Sequence, residues 1–239
     1  MYAGGECFEL LRPLLPSANH VNDVSTAKLT IEPLSGPITE SFDCGRLAQT
    51  EFLLNHAWPH QELGFSRTHV LRENAKLIGF VTLAFSEILL DSSEKPEGAP
   101  FATLPAVKLV QMGIDSESSG KGLGQDLFAF AVGVARKTGE NVGCRYLILD
   151  SVPERVSFYE TKCGCVINTG AYETRRRQAE KKKRDPNAEN VSMRFDLRQP
   201  GQLNPSTLSI SKAERRSLPT LMGFGKVAVF VTWLTRRKT

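Results

Sequence analysis

The sequence predicts an α/β domain in which a β-sheet is flanked by helices. A mostly apolar stretch, Ala106 to Asp115, is typical of a strand. The residues from Leu123 repeat apolar side chains at helical spacing up to Gly139, where a helix is expected to end. A second apolar stretch, Cys144 to Asp150, is again followed by a helical pattern. A chain of 239 residues, 41% of them hydrophobic, can bury one sizeable core and leave room for an appendage.

The N-terminal part of the domain contributes a strand and a helix. Residues 27–34 predict the first strand, after an irregular segment. Apolar residues from Leu47 to Trp58 then predict a helix. Asp43 is expected to act as its N-cap and Pro59 to end it.

Further strands are indicated on both sides of the central elements. Residues 68–89 predict a hairpin that turns at Glu73-Asn74. Ser151 is expected to cap the helix that follows the Cys144 to Asp150 strand. The stretches 165–173 and 190–197 predict a last pair of strands, separated by a basic run.

Charge is distributed unevenly along the chain, although the net charge is only +4. Residues 1–170 carry 14 Lys and Arg against 20 Asp and Glu, whereas residues 171–239 carry 16 against 6. The densest basic run, Thr174 to Arg184, contains one acidic residue, Glu180. A solvated loop and a contact with a polyanion, nucleic acid first, both account for such a run.

Cysteine use and hydropathy indicate a cytoplasmic protein. The five cysteines are scattered without zinc or redox spacing, which predicts reduced thiols and no metal site; they are Cys7, Cys44, Cys144, Cys163 and Cys165. No apolar run reaches about 18 residues, and the N-terminus has no secretory pattern. We therefore expect neither export nor a membrane span.

The stretch SSGKGLGQDLF, Ser118 to Phe128, places three glycines at a strand-to-helix corner. Glycines let backbone N–H groups approach an anion closely, and the helix that follows directs its positive dipole end to the same point. The spacing matches neither a Walker loop nor a dinucleotide fingerprint, which excludes those phosphate loops. A pyrophosphate cradle and an ordinary turn both remain.

The order of these elements, together with the corner and the sequence FYE that follows, resembles the GNAT acyltransferases over residues 29–197. Gly122 and Gly124 match that family's Arg/Gln-x-x-Gly-x-Gly/Ala corner, while Ser119 stands where the family has Arg or Gln. The resemblance implies a mixed, mostly antiparallel sheet that is splayed at the acetyl-CoA site. It also implies N-acetyl transfer from acetyl-CoA to an amine, without a metal.

The resemblance implies a set of coenzyme-binding residues around the corner. A backbone N–H of Met112, Gly113 or Ile114 would hold the thioester oxygen. The residues expected to bind acetyl-CoA are Met112, Gly113, Ile114, Ser119, Gly120, Lys121, Gly122, Leu123, Gly124 and Gln125.

Tyr159 occupies the position of the family's usual general acid, which protonates the departing thiolate. Without the matching order of elements it would be interpreted as a packed aromatic beside Phe158. No Glu or His stands out as a base: His56 and His60 are expected on the surface, and His69 on a strand.

Residues 40–57, 66–71 and 112–128 also resemble the GNAT toxins of toxin-antitoxin modules, which acetylate the α-amine of aminoacyl-tRNA. That amine has a reference pKa of about 8 against about 10.4 for lysine, so it needs no strong base. The implied partners are aminoacyl-tRNA and a small DNA-binding antitoxin; a homodimer is left open. The residues expected to contact tRNA are Arg175, Arg176, Arg177, Lys181, Lys182, Lys183 and Arg184.

The predicted domain organisation is an N-terminal segment 1–27, a GNAT domain 28–199 with a basic insertion 173–190, and an extension 200–239. Residues 226–234 of the extension suggest an added strand or an interface segment. Two other functions remain alternatives: a housekeeping GNAT enzyme acting on a protein or small amine, and a non-catalytic nucleic-acid-binding module.

Overall fold

The computed structural model describes residues 28–198, which form a seven-stranded sheet in the order β1-β2-β3-β4-β5-β7-β6. The expected N-terminal segment 1–27 and the extension 200–239 lie outside the described residues. The strands are β1 (Leu29–Pro33), β2 (Arg67–Glu73), β3 (Lys76–Leu89), β4 (Thr103–Ile114), β5 (Tyr146–Ser151), β6 (Val166–Ile167) and β7 (Val191–Asp196).

The helices lie between these strands in the chain. They are α1 (Leu47–Glu51), α2 (Ala57–Glu62), α3 (Leu123–Val142), α4 (Val156–Thr161) and α5 (Thr169–Lys181). A π-helical turn, Phe52–His56, joins α1 to α2. Short 3₁₀ turns, Ser116–Ser118 and Pro153–Arg155, precede α3 and α4.

The sheet opens between its two central strands. All neighbouring pairs are antiparallel except β4 and β5, which run parallel. Their pairing covers only residues 106–109 of β4 and 146–149 of β5. The last five residues of β4 therefore have no partner on that side. The mixed, mostly antiparallel sheet with a splayed centre that the family resemblance implies is confirmed.

Helices cover both faces of the sheet because neighbouring strand residues point to opposite sides. Val81 packs in the cluster that contains Leu127 and Phe128 of α3, and all three are fully buried. Phe80, the preceding residue, packs in a second cluster with Leu53 of the helix that runs from α1 to α2. Strand β3 thus separates two buried cores, one on each face of the sheet.

Three predicted boundaries were wrong. α3 continues to Val142, where Gly143 at a φ of 75° ends it, so Gly139 lies inside the helix. The first helix has Arg46 rather than Asp43 at its N-cap and continues through Pro59. The N–H of Ala57 bonds to the carbonyl of Phe52, five residues earlier, so the regular i to i−4 bonding that a proline interrupts is already replaced just before Pro59.

The hairpin is confirmed, but its turn is Asn74-Ala75 rather than Glu73-Asn74, because Glu73 still belongs to β2; Asn74 adopts a φ of 56°. The expected cap Ser151 instead lies in β5. Its hydroxyl donates to the carbonyl of Val152.

The largest difference concerns the basic run, which was predicted as a loop between two strands. Strand β6 has two residues, and the chain then forms α5, which carries most of the basic residues. The carboxylate of Glu94 accepts hydrogen bonds from the N–H groups of Thr169 and Gly170, at 3.0 and 3.3 Å. An acidic group at a helix N-terminus stabilises it, and the Arg-, Glu- and Ala-rich sequence favours helix after that start.

Within residues 28–198, no helix combines the length and apolarity that crossing a bilayer requires.

Candidate acetyl-coenzyme A site

A cleft of about 550 Å³ lies where β4 and β5 diverge. It lies between the end of β4 and the glycine corner on one side and the end of β5 and α4 on the other. The loop before α1 also contributes. Its lining residues are Cys44, Arg46, Gln49, Leu109–Ile114, Ser118–Gly120, Gly122–Gln125, Leu149–Val152, Arg155, Phe158, Tyr159 and Lys162.

The glycine corner presents bare backbone to this cleft. Gly120 and Gly122 have φ values of 81° and 85°, and a Cβ on either would meet no atom within 4 Å. Helix α3 starts at Leu123 without a side-chain capping hydrogen bond. The first N–H groups of a helix have no intrahelical partner, so those of Leu123 and Gly124 are open to an anion. These features fit a pyrophosphate cradle.

Nine of the ten residues predicted to bind coenzyme line the cleft. Lys121 does not, although it lies between the two glycines.

The exposed edge of β4 offers further donors. The N–H of Asp115 donates to the carbonyl of Ile78 on β3, at 2.9 Å. N–H groups of an antiparallel pair alternate between bonded and unbonded sides, so the N–H of Gly113 also faces β3. Those of Met112 and Ile114 point to the other side, where β5 has diverged. Of the three backbone N–H groups expected to hold the thioester oxygen, those of Met112 and Ile114 therefore point into the opening, and that of Gly113 does not.

Tyr159 lies on α4 with its partly buried side chain lining the cleft. Its ring packs edge-on against Phe128 and Phe158, with centroids 6.0 and 5.1 Å away. Among the described residues, none forms a hydrogen bond with its hydroxyl. Burial raises the pKa of Tyr159 above its usual value. The hydroxyl is therefore protonated at neutral pH and can donate.

The Phe-Asp-Cys-Gly motif joins the start of the first helix to the glycine corner. The backbone N–H and the hydroxyl of Ser116 both donate to the carbonyl of Asp43, at 2.8 and 3.0 Å. Phe42 packs edge-on against the buried Phe80, with centroids 5.6 Å apart. This attachment holds Cys44 and Arg46 at the cleft, a placement that the sequence analysis did not predict.

Asp150 ends the β5 side of the cleft and has two cationic partners. Lys108 on β4 and Arg175 on α5 each donate to its carboxylate, at 2.7 Å. Burial alone would raise the pKa of Asp150, but the hydrogen bonds from both cations outweigh burial and hold it below its usual value. Asp150 is thus ionised and fully engaged, which makes it a poor base.

Arg175 therefore differs from the rest of the basic run. It also donates to the carbonyl of Asn190, at 3.0 Å, and so ties α5 to the sheet. Arg176 lies over the ring of Tyr172 at 5.7 Å. The remaining members, Arg177, Lys181, Lys182, Lys183 and Arg184, are exposed.

Sequence reasoning missed all four charged side chains that line the cleft, which are Arg46, Asp150, Arg155 and Lys162. Arg155 and Lys162 lie four residues before and three after Tyr159, so helical spacing could have found them once Tyr159 was chosen. No described His or Glu lines the cleft, and residues 28–198 contain no cluster of His, Cys, Asp and Glu that could hold a metal.

Known structures resemble this fold, whereas no family model matches the sequence. The AtaT toxin, in a tyrosine-to-phenylalanine mutant bound to acetyl-CoA and the C-terminus of the antitoxin AtaR, is 24% identical. The match covers 71% of this chain and 94% of AtaT, with a TM-score of 0.54.

Two further solved structures match this chain with comparable TM-scores. A tyrosine-to-phenylalanine mutant of KacT is 21% identical over 71% of this chain and 95% of its own, with a TM-score of 0.56. AtaT complexed with acetyl-methionyl-tRNA is 26% identical over 58% of this chain and 87% of its own, with a TM-score of 0.53. The chain described here thus has the GNAT fold, in the form that these toxins share.

Proposed function

We propose that this chain is an acetyl-CoA-dependent N-acetyltransferase that acetylates the α-amine of aminoacyl-tRNA and thereby stops translation. One observation carries the proposal. A single cleft combines the uncapped start of α3, the outward N–H groups of β4 and the protonated hydroxyl of Tyr159.

Acetyl-CoA fits the corner side of the cleft. The backbone donors from Gly120 to Gly124 would hold the pyrophosphate, with Ser119 and Gln125 beside them. Beyond the corner, the thioester arm would follow the opening between β4 and β5. The related AtaT structures with bound acetyl-CoA support this choice of co-substrate.

The chemistry needs two contributions from the protein. As the neutral amine attacks the thioester carbonyl, negative charge develops on its oxygen, and the N–H of Met112 or Ile114 would stabilise that charge. As the carbon–sulfur bond breaks, Tyr159 would protonate the departing thiolate, and the proton that the amine nitrogen loses as the amide forms would return to the Tyr159 oxygen through solvent. Its raised pKa supports the second role, because the proton is still present at neutral pH.

An aminoacyl-tRNA acceptor suits the absence of a base among the described lining residues. Its α-amine is partly neutral near pH 7, and the ester should lower its pKa further. Asp150 is already held by Lys108 and Arg175. The AtaT complex with acetyl-methionyl-tRNA supports the same acceptor class.

The basic run supplies the charge that tRNA phosphates require. Arg175 positions α5 beside the cleft through Asp150, and Arg176, Arg177, Lys181, Lys182, Lys183 and Arg184 would contact the phosphates. The sequence analysis gave all seven basic residues the same role as tRNA contacts, whereas here Arg175 has a positioning role and the other six contact phosphates.

A small DNA-binding antitoxin is the expected partner, as AtaR is for AtaT, whose complex with AtaR binds DNA. An acceptor that is charged tRNA makes the cytoplasm the expected compartment.

The proposal is tested in cell-free translation with the full chain. Protein synthesis should stop when both the chain and acetyl-CoA are present and continue when either is left out. Continued synthesis with both present, together with acetylation of peptides, would favour the housekeeping alternative instead.

A further inference from the structure

Four charged side chains are in the described lining of the cleft, and two of them have charged partners. Asp150 pairs with two cations, and Arg46 pairs with Glu154 at 3.7 Å. The two others are Arg155 and Lys162, for which no ion pair occurs among residues 28–198. Both are exposed. The cleft therefore carries two positive charges that the protein itself leaves available.

These two cations belong to one stripe of α4 and the turn before it. Arg155, Phe158, Tyr159 and Lys162 are spaced as i, i+3, i+4 and i+7, and all four line the cleft. Phe158 comes within 3.5 Å of the position of a Cβ on Gly124. The stripe consequently forms the wall that faces the glycine corner.

We propose that Arg155 and Lys162 bind phosphates of coenzyme A, as a side-chain anion site that faces the glycine corner. The part of the corner that lines the cleft supplies only neutral N–H groups, because Lys121 lies outside the lining and Ser119 carries no charge. Coenzyme A carries a diphosphate and a separate 3′-phosphate, more negative charge than neutral donors alone would balance. Two cations on the opposite wall complement it. This inference rests on the proposed use of acetyl-CoA.

The test compares acetyl-CoA with pantetheine, which shares the thiol arm and lacks every phosphate. The full chain is titrated calorimetrically as wild type, Arg155→Met, Lys162→Met and the double variant. Each single substitution should weaken acetyl-CoA binding about three- to tenfold, and the double variant more, with a flatter salt dependence. Pantetheine affinity should not change. Arg155→Lys should restore most of the loss, since it keeps the charge.

Lys137→Met is the matched control, because Lys137 is exposed on α3, pairs with Glu140 and does not line the cleft. It should bind acetyl-CoA as the wild type does. Wild-type affinity in the double variant, or an equal loss for pantetheine, would overturn the proposal.

A separate arm measures aminoacyl-tRNA binding. If the double variant loses tRNA affinity and keeps acetyl-CoA affinity, the phosphates belong to the acceptor and the coenzyme assignment is wrong. Binding is measured without turnover, so failure of acetyl transfer to aminoacyl-tRNA would contradict the proposed function alone.

Discussion

Replacing Tyr159 with phenylalanine removes one hydroxyl and leaves the ring in place. The ring keeps its edge-on contacts with Phe128 and Phe158. Because no described residue forms a hydrogen bond with the hydroxyl, its loss leaves no described partner unsatisfied. We expect the free energy of unfolding to change by less than about 1 kcal/mol and the affinity for acetyl-CoA to stay nearly the same.

The catalytic rate should respond strongly. General acid catalysis contributes on the order of 10² to 10⁴ in rate, which corresponds to about 3 to 5 kcal/mol of activation free energy. Burial raises the pKa of Tyr159, so the wild-type hydroxyl stays protonated at neutral and mildly alkaline pH. The rate ratio between wild type and variant should therefore be constant from about pH 6 to pH 9.

The assay is single-turnover acetyl transfer at saturating acetyl-CoA, with thermal unfolding and calorimetric binding measured on the same samples. A variant that is stable, binds acetyl-CoA and transfers acetyl groups at the wild-type rate would refute the role of Tyr159. A variant that loses stability and rate together would show that the side chain acts through packing.

Three further predictions concern the corner, α5 and the sheet. Gly122→Ala, strained at a φ of 85°, should cost about 1 kcal/mol of unfolding free energy and weaken calorimetric acetyl-CoA binding; unchanged affinity would contradict the cradle. Changing residues 181–183 to Gln should reduce the slope of log affinity for tRNA against log salt concentration by about 0.7 to 0.9 per lost contact; equal slopes for wild type and variant would exclude this segment as a tRNA contact. Arg175→Met should instead lower the melting temperature, because it breaks the ion pair with Asp150. Burial lowers the pKa of His69 to about 4. Between about pH 6.5 and pH 4, His69 is therefore protonated in the unfolded chain and neutral in the folded protein. Denaturant unfolding should therefore show up to about 3 kcal/mol of lost stability as the pH falls from 6.5 to 4, and His69→Gln should remove most of that dependence.

The sequence predicted those parts of the site that depend on neighbouring residues. Gly120 and Gly122 could be recognised because a strand precedes them and a helix follows, and positive φ values are a local property of glycine. Tyr159 followed from the order of elements around it. The sheet followed from apolar stretches whose lengths are typical of strands.

The parts that were wrong or missed depend on residues distant in the sequence. Helix α5 starts at Thr169 because Glu94, 75 residues earlier, accepts its first N–H group. Arg175 is not free like the rest of the basic run, because it pairs with Asp150 of β5. Cys44 and Arg46 reach the cleft because Asp43 is bonded to Ser116, 73 residues later. A pattern of neighbouring residues in the sequence cannot predict such long-range contacts.

The central claim is that this cleft transfers an acetyl group to the α-amine of aminoacyl-tRNA. The most direct measurement uses isotopically labelled acetyl-CoA with charged and uncharged tRNA, nuclease digestion, and mass spectrometry of the aminoacyl-adenosine released. We expect a label on the α-nitrogen of the amino acid, none on uncharged tRNA, and a rate at least about 100-fold lower for Tyr159→Phe. Label that appears on peptides or small amines and never on aminoacyl-tRNA would contradict this claim.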